Sequence, residues 1–212
     1  MTVKAVLWDF GGVITSSPFE AFSRFEESNE LPKDFIRQVN STNPESNAWA
    51  QLESSQIDVE AFDLLFASEA RSLGQDVSGS QVLALLSGEL RPEMIKALKI
   101  IKSKMKIGCI TNNVKSRDKD AEPTEKSTAV SEVMTLFDVV IESSKVGIRK
   151  PDPEIYKLAC REMGIEPGDA LFLDDLGINL KPARALGMKT IKVLNAEQAL
   201  DELEGHLKLK LR

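Results

Sequence analysis

The 212-residue sequence predicts an α/β protein, a doubly wound parallel sheet with an all-helical subdomain inserted after the first strand. Three observations predict it. A short apolar run near the N-terminus ends at an acid and a glycine pair. A long block of helical periodicity follows. From residue 90 onward, apolar runs of strand length alternate with helical patterns, and such alternation builds parallel sheets with right-handed crossovers.

Taken in order, Val3–Trp8 is the first strand, ending at Asp9 and broken by Gly11 and Gly12. From Pro18 to Ser87 no strand signal stands out. Phe19, Phe22 and Phe25 recur at helical spacing, as do Phe62, Leu65, Phe66 and Leu73. Pro32, Asn43-Pro44 and Ser78-Gly79-Ser80 divide this block into several helices. Pro92 opens a helix whose apolar face carries Met94, Ile95, Leu98 and Ile101. Further strands are expected at Lys106–Thr111, Asp138–Ile141, Ala170–Leu173 and Lys189–Val193. Helices are expected at Pro153–Met163, Leu180–Leu186 and Ala196–Leu207. Lys115–Thr128, densely charged and holding Pro123, reads as a solvated loop, and Leu207–Arg212 as a frayed basic tail. The expected division is a core of residues 1–15 and 90–212, with a helical cap of residues 16–89.

Composition narrows the function. With 42% hydrophobic and 28% charged residues the chain has the balance of a globular protein, not of a disordered one. Lysines and arginines number 27 against 33 aspartates and glutamates, a net charge of −6 that argues against a broad nucleic-acid surface. No apolar run approaches the roughly 20 residues of a membrane span. The N-terminus leads straight into the first strand, so no signal peptide is expected. Cys109 and Cys160 sit in apolar contexts and read as core, which makes a reducing cytoplasm the expected compartment. Trp8 and Trp49 read as core too, and His206 has no catalytic partner in view.

In an open parallel sheet, ligands bind beyond the carboxyl ends of the strands. Three strands end there in polar residues: Asp9, then Thr111 with Asn112 and Asn113, then Asp174 with Asp175. Lys150 adds a cation in the loop Gly147–Pro151. Packed carboxylates repel one another unless a cation neutralises them, and oxygen ligands suit Mg²⁺. Lys150, the Thr111 hydroxyl and the amides suit a phosphate dianion. Asp9 is then a candidate nucleophile on phosphorus.

Asp9-Phe10-Gly11-Gly12-Val13-Ile14, Thr111-Asn112-Asn113, Lys150-Pro151-Asp152-Pro153 and Asp174-Asp175 resemble the four ordered motifs of the haloacid dehalogenase superfamily. The run Phe172–Arg184 is similar to the branch containing the N-terminal phosphatase domain of soluble epoxide hydrolase. The resemblance covers the whole chain. It implies a Rossmann-like core with a cap, a magnesium cofactor and a small phosphorylated metabolite as partner. It implies Asp9 as nucleophile and metal ligand, the Gly11 carbonyl and Asp175 as further ligands, and Asp174 acting through water or a hydrogen bond. Thr111, Asn112 and Lys150 would hold the phosphoryl group. One position departs from the pattern. Phosphatases of this superfamily usually carry a second aspartate two residues after the nucleophile as general acid and base, and here Gly11 occupies it. Such help is worth about 10²–10⁴-fold.

The leading expectation is therefore a magnesium-dependent phosphate monoesterase. The alternatives are a 2-haloacid dehalogenase, in which the same aspartate attacks carbon, and a module that binds phosphate and magnesium without useful turnover.

Overall fold

The computed structural model describes residues 3–113 and 124–212. Its strands are β1 (Ala5–Trp8), β2 (Lys106–Thr111), β3 (Val139–Glu142), β4 (Ala170–Asp174) and β5 (Lys189–Lys192). They pair parallel in the order β3-β2-β1-β4-β5, giving the doubly wound α/β sheet expected from the sequence. The chain runs outward from β1 through β2 to β3, then returns to the other side of β1 for β4 and β5. The switch point thus lies between β1 and β4, where a doubly wound sheet opens its ligand crevice.

β1 and β4 are buried throughout, as strands covered on both faces must be, and this accounts for their nearly unbroken apolar sequences. Helices α1 to α5 precede β2: Pro18–Ser28, Phe35–Ser41, Ala48–Glu53, Val59–Ser72 and Gly79–Ala84. Helix α6 (Pro92–Lys102) follows them, and α7 (Glu125–Met134) and the short α8 (Ser143–Val146) flank β3. Helices α9 (Pro153–Met163), α10 (Gly177–Ala185) and α11 (Ala196–Leu207) complete the chain. One face of the sheet packs Trp8, Ile107 and Leu173 against Met94, Leu98 and Ile101 of α6 and Leu200 and Leu203 of α11. The other packs Leu7, Ile110 and Phe172 against Ile155, Tyr156 and Leu180.

Helices α1 to α5 gather around their own cluster of Phe22, Phe35, Ile36, Phe62, Phe66 and Val82. Leu65, which shares the helical spacing of that face, is 40% exposed instead. Two linkers join this helical unit to the sheet and are stitched together. Thr15 bridges Leu90, Ser16 N donates to Glu89 O at 2.7 Å, and Glu89 N donates to Ser16 Oγ at 2.9 Å.

Three expectations need correction. Residues 125–128 of the expected charged loop form the first turn of α7, because Thr124 Oγ1 caps it by accepting from Ser127 N at 3.1 Å. Residues 115–123 of that loop lie outside the described residues. The C-terminal tail is docked, not frayed: Leu211 is fully buried, its N–H donates to Glu204 Oε1 at 2.8 Å, and Arg212 pairs with Asp201 and Glu204. Helix α10 starts at Gly177, three residues before the apolar signal at Leu180, because Gly177 and Ile178 are exposed and the buried Asn179 is polar, which leaves no apolar periodicity. Among the described residues, no helix is long and apolar enough to cross a membrane.

Candidate active site

The β1–β4 register pairs Trp8 with Leu173, so Asp9 and Asp174 emerge side by side at the carboxyl edge. Asp9 N donates to Leu173 O at 2.8 Å and keeps the two chain ends together. Thr111 ends β2 on the other side of β1, and Lys150 comes in from the turn before α9. All are buried: Asp9 and Thr111 are 7% exposed, Lys150 1% and Asp174 0%.

Lys150 Nζ stands 2.8 Å from Asp9 Oδ1 and 2.7 Å from Asp174 Oδ2. Burial alone would lower its hold on the proton, but these two carboxylates keep the ammonium above the ordinary lysine range. Asp9 Oδ1 also accepts from Phe10 N at 2.7 Å. Among the described residues nothing donates to its Oδ2. One oxygen of Asp9 is thus fixed and the other is free to react.

The two adjacent aspartates differ in role. Asp174 is saturated. Its Oδ1 accepts from Leu176 N at 2.8 Å, and Asn179 Nδ2 donates to both its oxygens at 3.0 and 3.1 Å. Asn179 is itself fixed by Tyr156, whose hydroxyl donates to the Asn179 carbonyl at 2.7 Å. Asp175 has little of this. Among the described residues its one side-chain partner is the Ser17 hydroxyl, at a long 3.4 Å, and Lys150 does not touch it. Asp9, Asp174 and Asp175 nevertheless present oxygens within 4.8 Å of one another. Burial, with the neighbouring Asp174 charge, pushes Asp175 up to about 6. Burial pushes Asp9 to about 8, with Lys150 opposing and Asp174 and Asp175 adding to the rise. Two carboxylates short of positive charge, offering hard oxygen donors, fit a divalent cation such as Mg²⁺. The Gly11 carbonyl accepts no hydrogen bond from a described residue and is open to the same use.

The two glycines after Asp9 are not equivalent. Gly12 has a φ of +75°, and a Cβ there would stand 2.5 Å from Asp175 Cγ and closer still to Oδ2. Gly11 has an ordinary φ, and a Cβ on it would meet nothing within 4 Å. Of the two, the backbone therefore demands glycine at 12 alone, and the position where a second acid is usual in this superfamily is uncrowded by any described residue.

Asn112 has its side-chain amide committed to the protein. Its Oδ1 accepts from Lys150 N at 2.8 Å, and its Nδ2 donates to Lys150 O at 3.0 Å and to Glu53 Oε2 at 3.2 Å. The Thr111 hydroxyl has no partner among the described residues. Asn113 ties the same turn to the end of β3, donating to Glu142 Oε1 at 2.8 Å and accepting from Ser144 Oγ at 2.9 Å. Sequence reasoning missed Asn179, Tyr156, Ser17 and Glu53. Asn179 and Ser17 lie close to the motifs in sequence, whereas Glu53 carries no local signal.

A family model described as haloacid dehalogenase-like hydrolase matches residues 3–187. Bifunctional epoxide hydrolase 2 of Sus scrofa is 32% identical over 217 residues, covering 96% of this chain and 39% of that one. The chain spans between 19% and 39% of the length of its longer curated relatives. An enzyme of the same family from Bacteroides thetaiotaomicron, in complex with magnesium and inorganic phosphate, superposes with a TM-score of 0.57 at 24% identity, over 89% of this chain and 93% of that one. The L-2-haloacid dehalogenase of Xanthobacter autotrophicus, with chloropropionic acid covalently bound, gives 0.61 at 19% identity, over 99% and 86%. With the family model spanning both the strand-end acids and the helical insertion, the chain belongs to the haloacid dehalogenase-like hydrolases.

Proposed function

We propose that the protein is a magnesium-dependent hydrolase of small phosphate monoesters working through an aspartyl-phosphate. The observation that carries this reading is the unmatched carboxylate of Asp175. Lys150 serves Asp9 and Asp174, leaving a third, half-buried acid with no cation among the described residues. An anion in that position is costly unless a metal is held there. Asp9, Asp175 and the Gly11 carbonyl would hold Mg²⁺, which when bound offsets the charge of the phosphoryl oxygens and favours the ionised form of both acids.

The chain's own residues supply the rest. Asp9 Oδ2, unbonded and ionised, attacks phosphorus, and the bond from phosphorus to the ester oxygen breaks. Lys150 keeps Asp9 Oδ1 fixed, so the reacting oxygen has one orientation. Thr111 at the neighbouring strand end offers a hydroxyl donor, and the ammonium of Lys150 spreads positive potential over the crevice. The leaving oxygen takes its proton from water or from a hydroxyl of the substrate, since Gly11 has none to give. Water then attacks the phosphoryl group, cleaves its bond to Asp9 and releases phosphate. A helical cap of residues 16–89 over a core of 1–15 and 90–212 belongs to this reading, as does a cytoplasmic setting, which the free, buried Cys109 and Cys160 support.

The test is a panel of phosphate esters with magnesium, with and without chelator, on the wild-type protein and Asp9→Asn. Hydrolysis that needs magnesium and is lost in Asp9→Asn is expected. Chelator-insensitive turnover, or a normal rate in Asp9→Asn, overturns the reading, because an amide cannot form the acyl phosphate.

A further inference from the structure

Away from the two linkers, the helical unit touches the core at a second place, and that contact is ionic and buried. Glu53, the last residue of α3, is 7% exposed. Its Oε2 lies 2.7 Å from Arg149 Nε and 2.5 Å from another guanidinium nitrogen, and it accepts from Asn112 Nδ2 at 3.2 Å. Its Oε1 accepts from Trp49 Nε1 at 3.0 Å. Arg149 also donates to the Pro44 carbonyl at 3.1 Å, and Ser55 Oγ donates to Ser144 O at 2.8 Å. A junction that needed only adhesion would be served as well by apolar side chains, since a buried ion pair is a weak source of stability. This one is placed on the two residues that govern Lys150. Arg149 precedes it in the chain, and Asn112 grips its main chain from both sides, with Lys150 N at 2.8 Å and Lys150 O at 3.0 Å.

We propose that Glu53 is a positioning residue: through Asn112 and Arg149 it fixes the main chain that carries Lys150, so that the ammonium meets Asp9 only with the helical unit docked. Asn112 Nδ2 splits its donation between Glu53 and Lys150 O. Without Glu53 the side chain is free to turn, and the turn at Gly147–Pro151 loses its anchor on α3. A displacement of about 1 Å in such a group costs up to about 100-fold in rate. The role rests on the phosphatase reading for its readout.

The experiment compares wild type, Glu53→Gln and the double variant Glu53→Met/Arg149→Met, with p-nitrophenyl phosphate and magnesium, well below every melting temperature. Glu53→Gln keeps the shape and loses the charge; kcat should fall about 10- to 100-fold with KM changed less than about threefold. The double variant removes both buried charges together, so its melting temperature should return towards wild type while kcat stays low, because Asn112 still lacks its acceptor. Recovery of kcat along with stability would show that Glu53 only holds the fold together. If the double variant does not fold, Glu53→Gln decides alone: an unchanged kcat, or a deficit confined to KM, overturns the role. A wild-type protein that hydrolyses no phosphate ester overturns the phosphatase reading, whereas an active wild type with an unaffected Glu53→Gln overturns this role alone.

Discussion

Gly12 and Gly11 look alike in sequence, and the structure predicts opposite outcomes when each becomes alanine. At Gly12 the backbone is left-handed, which costs an L-residue about 1–2 kcal/mol. The new methyl would also lie 2.5 Å from Asp175 Cγ, where ordinary contact needs about 3.5 Å, so the carboxylate must retreat by roughly 1 Å. Metal–ligand distances tolerate only about 0.2 Å. Gly12→Ala should thus weaken magnesium binding by at least about tenfold and, at about 2–4 °C per kcal/mol for a chain this size, lower the melting temperature of the metal-loaded protein by several degrees. Gly11→Ala meets nothing and keeps its carbonyl, so both quantities should stay near wild type. The assay is thermal melting across a magnesium titration, with the two variants side by side. Wild-type magnesium affinity in Gly12→Ala, or equal damage in Gly11→Ala, would refute the argument that Asp175 is packed against this turn to serve a metal.

Stability should fall as pH rises in the metal-free protein. Asp9 at about 8 and Asp175 at about 6 both stand above their ordinary value of 3.8. The folded state therefore holds protons that the unfolded chain has released, and melting temperature should drop between about pH 4 and pH 8. Magnesium should reverse much of that drop at pH 8 and little at pH 5; a metal-free melting temperature that climbs with pH would contradict the sign. Lys150→Met strips the cation from buried Asp9 and Asp174, a loss of about 3–5 kcal/mol by unfolding titration. A change below about 1 kcal/mol would mean that Asn179 and the backbone already satisfy the pair. With no acid at Gly11, kcat/KM should depend steeply on leaving-group acidity across phenyl phosphates of graded phenol pKa, and simple alkyl esters should be slow. A flat plot would mean that another residue supplies the proton.

The clustering of polar residues at the carboxyl edge of the sheet was legible because each of its pieces is contiguous. A buried strand is an apolar run, the first polar residue after it marks the carboxyl edge, and parallel pairing brings such ends together without further information. That reasoning needs only Trp8-Asp9, Ile110-Thr111 and Leu173-Asp174. The junction of the helical unit with the core carries no such mark. Glu53 and Arg149 are 96 positions apart, each a charged residue of ordinary appearance, and only tertiary packing turns the pair into a buried one. Asn179 is hidden for a related reason: it precedes the helix expected from Leu180, yet α10 begins at Gly177 and turns it inward onto Asp174. The tail deceived by its alternation of leucine with lysine, which gives no sign that Leu211 would be fully buried in the core, with Leu207 and Leu209 partly buried against it.

Likeness of fold reaches both a magnesium- and phosphate-bound enzyme and a haloacid dehalogenase, so the fold does not decide between the two chemistries. Charge does. Among the described residues, three clustered carboxylates stand against one lysine and leave the crevice anionic. A haloacid brings one more carboxylate, and displacement of halide needs no proton donor. For that substrate Asp175 is a repulsive neighbour with no compensating use. For a phosphate dianion the same residue earns its place as a ligand of the cation that lets the dianion approach. Asp175→Asn therefore has opposite sign in the two cases. It should abolish most magnesium affinity and phosphate-ester turnover while leaving the metal-free fold no less stable, because it removes a carboxylate that, among the described residues, only the long Ser17 contact supports. Were the chemistry dehalogenation, the same change would leave activity on a 2-haloacid intact or raise it, and chelator would have no effect.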